Sequence, residues 1–280
     1  MTTVLDILDK GTAYLEKRGI EDARRNMQML VAHQLDCTRM DLYLRFDQPI
    51  PEDQLAPLRD ALRKRGEGVP LQHLLGTVYF RHHEFRTDAR ALIPRPETEE
   101  LAEWLAKNLT LPENPAILDM GTGSGCLGLS LAHDFPAARV TLADVSPEAL
   151  SLARENAGAI GAGNVDFLES DLFSALPADA RFHLIVANLP YVPEGEAVSR
   201  EVRHDPALAL FSGADGLDLI RRFIPAAAAR LHPGGWLAME IGIDQASEVE
   251  KLLHAAGLGE IRTLPDLAGI PRFPIARRPL

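Results

Sequence analysis

Apolar residues recur at helical spacing through the first part of the chain. Val4, Leu8 and Leu15 form one stripe, and Met27, Leu30, Val31 and Leu35 form another. The stretch PIPEDQLAPLRDALRKRGEG (49–68) opens on prolines and acids, carries Leu55, Leu58 and Leu62, and closes on Arg63-Lys64-Arg65 before Gly66. Acids at the start and bases at the end compensate a helix dipole, which predicts a helix here. A docking patch is the other reading of the basic triplet. TVYFRHHEFRTDARALIPRP (77–96) groups β-branched and aromatic residues around a polar centre, and predicts a hairpin or extended linker. Neighbouring side chains on a strand face opposite ways, so His82-His83-Glu84 is read as no metal site, and no metal is expected elsewhere.

From about residue 97 short apolar runs alternate with helical stretches, as α/β units require. The predicted strands are AILDM, RVTLAD, VDFLES, FHLIVAN, GWLAMEIG, LGEIRTL and RFPIARR. Helices are predicted between them at 125–133, 147–159, 216–230 and 245–256. Seven strands, the last two joined by a short connector, imply a mostly parallel sheet with an antiparallel end. The expected organisation is a helical domain over 1–76, a hairpin or linker over 77–94, and an α/β domain over 95–280.

Composition narrows the function classes. The chain has 280 residues, of which 46% are hydrophobic and 25% charged, ordinary for a soluble protein with a sizeable core. No apolar run is long enough to span a membrane, and the acidic start MTTVLDILDKG does not suit a signal peptide. Cys37 and Cys126 are the only cysteines, which fits a reducing cytoplasm. The net charge of −11 is uneven: 11 Lys/Arg against 12 Asp/Glu over 1–80, and 18 against 28 beyond. An acidic body works against non-specific phosphate binding, so no nucleic-acid partner is expected.

Candidate chemistry collects at strand ends. In AILDMGTGSGCLGLSLA (116–132) a strand runs through Gly121, Thr122, Gly123, Ser124 and Gly125 into a helix. Missing Cβ atoms let a ligand approach the backbone, and the helix N-terminus favours a negative group. No Lys-Ser/Thr pair follows, so this is not a phosphate-cradling loop. Asp144, nineteen residues beyond Gly125, ends the next strand, where a carboxylate can accept both hydroxyls of a ribose. ESDLF (169–173) adds Asp171 and apolar Leu172 and Phe173, against which an adenine could lie. Any adenosine cofactor, NAD included, suits these three strand ends. The fourth decides against NAD. In Asn188-Leu189-Pro190-Tyr191 the Asn amide oxygen and the Leu189 carbonyl can accept both hydrogens of a planar NH2 group. Pro190 holds Leu189 extended, and Tyr191 offers a flat face. An NH2 held this way aims its nitrogen at a methyl donor.

These motifs resemble those of the class I S-adenosylmethionine-dependent methyltransferases. Within them the chain is similar to the protein glutamine N5-methyltransferases that act on peptide chain release factors. The resemblance rests on GVPLQHLLG (68–76), LIPRPETEEL (92–101), DMGTGSGC, SDLF, NLPY, DPALALFSGADGLD, HPGGWLAMEIG and DLAGIPRFPIARR, and runs nearly end to end. It implies a Rossmann-like seven-stranded sheet with a small N-terminal helical domain. It also implies that Gly121 to Gly125, Asp144, Leu172 and Asn188 bind S-adenosylmethionine. Asn188, Leu189, Pro190 and Tyr191 would receive the glutamine and carry catalysis, and the N-terminal helices would dock the release factor. A cytoplasmic monomer is the implied form. One position departs from the family: its usual Asn-Pro-Pro-Tyr reads Asn-Leu-Pro-Tyr here. That form resembles the ribosomal RNA adenine dimethyltransferases, which leaves adenine N6 methylation of RNA or DNA as the alternative. In RPETEE, Thr98 and its acids read as a helix start. The resemblance implies that the stretch also packs beside the cofactor, and Arg95 and Glu97 are set aside from the site residues. Glu240 reads either as a strand end or as a group near the pocket.

Overall fold

The computed structural model describes residues 2–280, which divide into two compact units. The first comprises residues 2–77 together with Val198–His204. It contains α1 (Val4–Lys17), α2 (Ala23–Gln34), α3 (Glu52–Gly66) and the short α4 (Leu71–Leu75). Thr3 and Asp6 form a reciprocal capping box that satisfies the opening N–H groups of α1. The stripes foreseen from spacing meet in one core of Val4, Leu8, Leu15, Met27, Leu30, Val31, Leu55 and Leu58. The basic triplet divides by burial: Arg63 and Lys64 pair with Asp60 and Glu67 on the surface, whereas Arg65 is buried. Its guanidinium donates to Asn26 Oδ1 (2.7 Å), the Val69 carbonyl (3.1 Å) and Glu201 (2.5 Å), which ties residues 198–204 to these helices.

The second unit opens with a hairpin, β1 (Thr77–Phe80) and β2 (His83–Arg86), followed by α5 (Pro96–Asn108). The α/β alternation then runs β3 (Ala116–Met120), α6 (Cys126–Asp134), β4 (Arg139–Asp144), α7 (Pro147–Ile160), β5 (Val165–Glu169) and β6 (Phe182–Asn188). It ends with α8 (Asp218–Arg230), β7 (Leu231–Glu240), α9 (Ala246–Ala255), β8 (Gly259–Pro265) and β9 (Pro271–Arg277). The sheet order is β5-β4-β3-β6-β7-β9-β8; β9 alone is antiparallel to its neighbours, inserted between β7 and β8.

Side-chain alternation explains why the central strands read as unbroken apolar runs. Leu118, Ile185 and Ala187 face a core shared with Ile220, Phe223 and Leu253 of α8 and α9. Ile117, Leu184 and Val186 face the opposite core, with Leu101 and Leu105 of α5 and Leu127 and Leu131 of α6. A strand covered on both faces keeps no polar side. The hairpin also belongs to this core, since Phe80 and Phe85 are fully buried in it. Buried Asn156 of α7 holds it: Oδ1 accepts from Arg86 N (2.7 Å), while Nδ2 donates to the carbonyls of Arg86 and Ser124.

The hairpin corrects one sequence argument. Arg81 turns the chain at φ +50°, so His82 and His83 do not diverge, and both rings lie within 4.9 Å of the His133 ring. No group of three His, Cys, Asp or Glu with metal-holding geometry occurs among the described residues. No helix among them is long and apolar enough to cross a membrane.

Candidate active site

The strand order reverses at β3: the chain builds outward through β4 and β5, then returns to place β6 on the other side. A parallel sheet opens a crevice at such a switch point, outside the carboxyl ends of its strands. Here a cavity of about 370 Å³ lies at those ends, within the second unit. It is bordered by Gly121, Thr122, Gly123, Ser124, Asp144, Leu172, Asn188, Leu189 and Pro190. Nine of the sequence-selected positions therefore meet on one surface. Gly125 and Tyr191 do not border it: Gly125 N donates to the carbonyl of the wall residue Thr122 (2.8 Å), and Tyr191 borders a second cavity with Asp215, Gln245 and Arg272.

The Gly-rich turn is anchored by its backbone. The amides of Gly121 and Thr122 both donate to the Ala143 carbonyl (2.8 and 3.0 Å), locking the end of β3 to β4. Gly121 sits at φ +72°, and a Cβ there would stand 2.9 Å from Leu189 Cδ2. Gly125 caps α6 at φ +85° with no room for a side chain against Leu129. Both positions demand glycine for conformation and for space. Beneath the turn, buried Asp119 accepts from Thr122 Oγ1 (2.6 Å) and Gly128 N (2.9 Å).

Burial pushes the Asp119 carboxyl up to about 6, against the pull of those two bonds. The folded protein holds this proton more tightly than the unfolded chain, so the group's stabilising contribution is present below its ordinary value of 3.8 and is lost as pH rises through about 6. Asp119→Asn keeps an acceptor oxygen for both donors and carries no charge. Without added ligand it should melt above the parent at neutral pH, and the gap should close on acidification. Thermal melts of the two proteins between about pH 4.5 and about pH 8 check this; a gap independent of pH would contradict it.

Asp144 uses one carboxylate oxygen for Gly123 N (2.8 Å) and the other for Ser146 N (2.9 Å). Each oxygen keeps a second lone pair for a ligand hydroxyl. Burial holds this carboxyl above its usual range, opposed by those backbone donors. After β5 the two apolar candidates separate. Leu172 takes φ +49°, its carbonyl held by Ser170 Oγ (2.6 Å), and borders the cavity. Phe173 does not reach the cavity: it is buried against Phe223 with ring centroids 5.7 Å apart. Asp171 is occupied by Arg222 (2.9 Å). Val145, half-exposed and not selected from the sequence, also borders the cavity and adds apolar surface. Cys126 also borders the cavity, but burial pushes its thiol up to about 12, so it supplies no thiolate.

At the end of β6 the register sets Asn188 beside Glu240 of β7. Thr98, in the first turn of α5, does not cap its helix; Arg95 occupies the cap position. The Thr98 hydroxyl instead donates to Glu240 Oε2 (2.6 Å) and accepts from Asn188 Nδ2 (3.0 Å). The Tyr191 hydroxyl donates to Glu240 Oε1 (3.2 Å). Asn188 Oδ1 is buried and has no partner. The Leu189 side chain is itself buried, packed under Gly121. Sequence reasoning placed the RPETEE stretch beside the cofactor only through the resemblance, without naming Thr98 as a site residue, and left Glu240 undecided. Arg95, set aside on sequence, borders the cavity and is held by buried Asp205 (2.6 Å).

Two family models match this chain: the PrmC N-terminal domain over residues 6–76 and the methyltransferase small domain over residues 97–261. The chain is 43% identical over 276 residues to the release factor glutamine methyltransferase of Deinococcus radiodurans, covering 98% of each. It is 40% identical to the protein of the same name from Geobacter sulfurreducens, over 96% of this chain and 95% of that one. Its fold is similar to that of the T. thermophilus 16S rRNA N2 G1207 methyltransferase, solved with AdoMet and guanosine. That match has a TM-score of 0.54 at 24% identity and spans 72% of this chain and 49% of that one.

Proposed function

We infer the reaction from one premise: the chain belongs to the release factor glutamine methyltransferase family. It transfers a methyl group from S-adenosylmethionine to the side-chain amide nitrogen, N5, of a glutamine in a peptide chain release factor. The observation that carries this reading is the buried, unpartnered Oδ1 of Asn188 at the cavity wall. A buried acceptor left unpaired is costly, and a donor N–H arriving in the cavity satisfies it.

The residues present fit the cofactor. Glycines keep side chains out of the turn, Asp144 retains lone pairs for two hydroxyls, and Val145 and Leu172 offer apolar walls. Gly121 to Gly125, Asp144, Leu172 and Asn188 would hold it. When bound, S-adenosylmethionine supplies an electrophilic methyl on a sulfonium.

The chain's own part is to make a poor nucleophile adequate. An amide nitrogen has its lone pair delocalised into the carbonyl. Acceptance of its two hydrogens by Asn188 Oδ1 and the Leu189 carbonyl stabilises a partly pyramidal, more electron-rich nitrogen. Pro190 keeps Leu189 extended, and Tyr191 supports the clamp from behind. Orientation and preorganised dipoles supply the rate. No strong base is needed before attack, because the N–H proton becomes far more acidic once the nitrogen carries the methyl and is then lost to solvent, while the donor's sulfur leaves as a neutral thioether. Because the Leu189 side chain packs inside the core, its identity bears on packing more than on substrate class. This removes the main support for adenine.

The N-terminal helices are read as the release-factor dock. A cytoplasmic monomer that needs no nucleic acid fits the acidic charge of −11. Mass spectrometry of a release factor incubated with this protein and labelled cofactor tests the reading. One added methyl on a glutamine is expected; label entering only RNA would overturn it.

A further inference from the structure

We propose that Thr98 and Glu240 are positioning residues that set the Asn188 amide with its oxygen, and not its nitrogen, toward the substrate amide. The inference rests on the proposed role of Asn188 as an acceptor for the glutamine NH2.

The number of hydrogens available between Glu240, Thr98 and Asn188 fixes the orientation of the amide. An asparagine amide presents two nearly isosteric ends, one able to accept and one able only to donate, and only its partners choose between them. Thr98 has one hydroxyl hydrogen. Ionised Glu240 has none and can only accept, so at 2.6 Å the Thr98 hydrogen lies on the line to Oε2. What Thr98 then offers Asn188, 3.0 Å away, is a lone pair. The amide end facing it must be the NH2. A flipped Asn188 would set two oxygens against each other with no hydrogen between them. The outcome is an Oδ1 that is buried, aimed away from Thr98 and without a partner. Glu240 Oε1 meanwhile accepts from Tyr191, so one carboxylate holds two members of the Asn188–Tyr191 clamp.

The polarity of this relay depends on the charge of Glu240. Burial favours its protonated form, and Glu97 of α5 pushes the same way. The hydroxyls of Thr98 and Tyr191 and the cation of Arg272 on β9 oppose it. Once protonated, Glu240 can give its hydrogen to Thr98. The Thr98 hydrogen then turns toward Asn188, which favours the amide end that cannot accept from substrate. Turnover therefore falls with acid through a window lying above the ordinary glutamate value of 4.5.

The test compares Thr98→Val, Thr98→Ser and Glu240→Gln with the parent, methylating a release factor at saturating cofactor. Valine keeps the shape and removes the hydroxyl. It should cut kcat on the order of 100-fold, with cofactor affinity unchanged and KM moving less than kcat. Serine restores the relay and should return kcat to within about fivefold of the parent. A valine variant as fast as the parent, or a serine variant as slow as valine, would overturn the proposal. Glu240→Gln cannot titrate, so its kcat should lack the parent's acid limb. An unchanged limb would overturn the proposal even if the valine variant does not fold. A parent that leaves release-factor glutamine unmodified would overturn the reading beneath it, a result distinct from either.

Discussion

Replacing Asn188 by alanine is expected to lower kcat by on the order of 1,000-fold and to leave the protein folded. The side chain lost carries a buried oxygen at the cavity wall that has no partner inside the protein. Its backbone keeps its place in β6, so the strand register with β7 survives. The loss falls on the step in which the amide nitrogen becomes electron-rich, where the acceptor is worth most. Binding of the release factor spreads over a far larger surface and should change little. The signature is therefore a fall in kcat with KM nearly constant, read in steady-state assays on a release factor. Asn188→Asp should also be poor. It sets a second carboxylate within reach of the Thr98 hydroxyl, beside buried Glu240, and the two anions disfavour each other. An Asn188→Ala protein with kcat near the parent's would remove Asn188 from the mechanism.

The second large effect is expected at Asp144, on cofactor affinity. Its two oxygens hold the Gly123 and Ser146 amides, so the carboxylate shapes the turn and the start of α7 as well as bordering the cavity. Asp144→Ala removes both acceptors together with the lone pairs left for ribose hydroxyls. Cofactor binding should weaken on the order of 100-fold. Asp144→Asn is no gentle change here. One of its two ends becomes NH2, and it must face either Gly123 N–H or Ser146 N–H, donor against donor. Titration calorimetry with S-adenosylmethionine measures both variants. An asparagine variant that binds like the parent would show that only the charge-independent shape of the site matters.

Much of the site was legible because a parallel sheet gathers its strand ends. Gly121 to Gly125, Asp144, Leu172 and Asn188 to Tyr191 each lie at the end of a strand or within a few residues after it. Once the strands were recognised, their carboxyl ends had to share one edge. Leu172 and Phe173 show where that reasoning stops. Both are apolar and adjacent, and only the turn at φ +49° decides which faces the cavity and which joins the core. The histidines of the hairpin show the same limit: period-two alternation failed because the chain turns at Arg81.

Taken alone, then, the sequence determined what is periodic or adjacent along the chain. That covers the helical first unit, the α/β order, and the glycines, acids and amide that close successive strands. Only the tertiary structure decided what depends on register and on long-range approach. Residues 198–204 join the first unit through Arg65 and Glu201, across 136 positions. Thr98 reaches Asn188 across 90 positions, and Glu240 meets both because β6 and β7 pair Asn188 with Glu240. Spacing in sequence reports the period of an element; it carries no information on which side chain of a distant element supplies the one hydrogen that orients an amide.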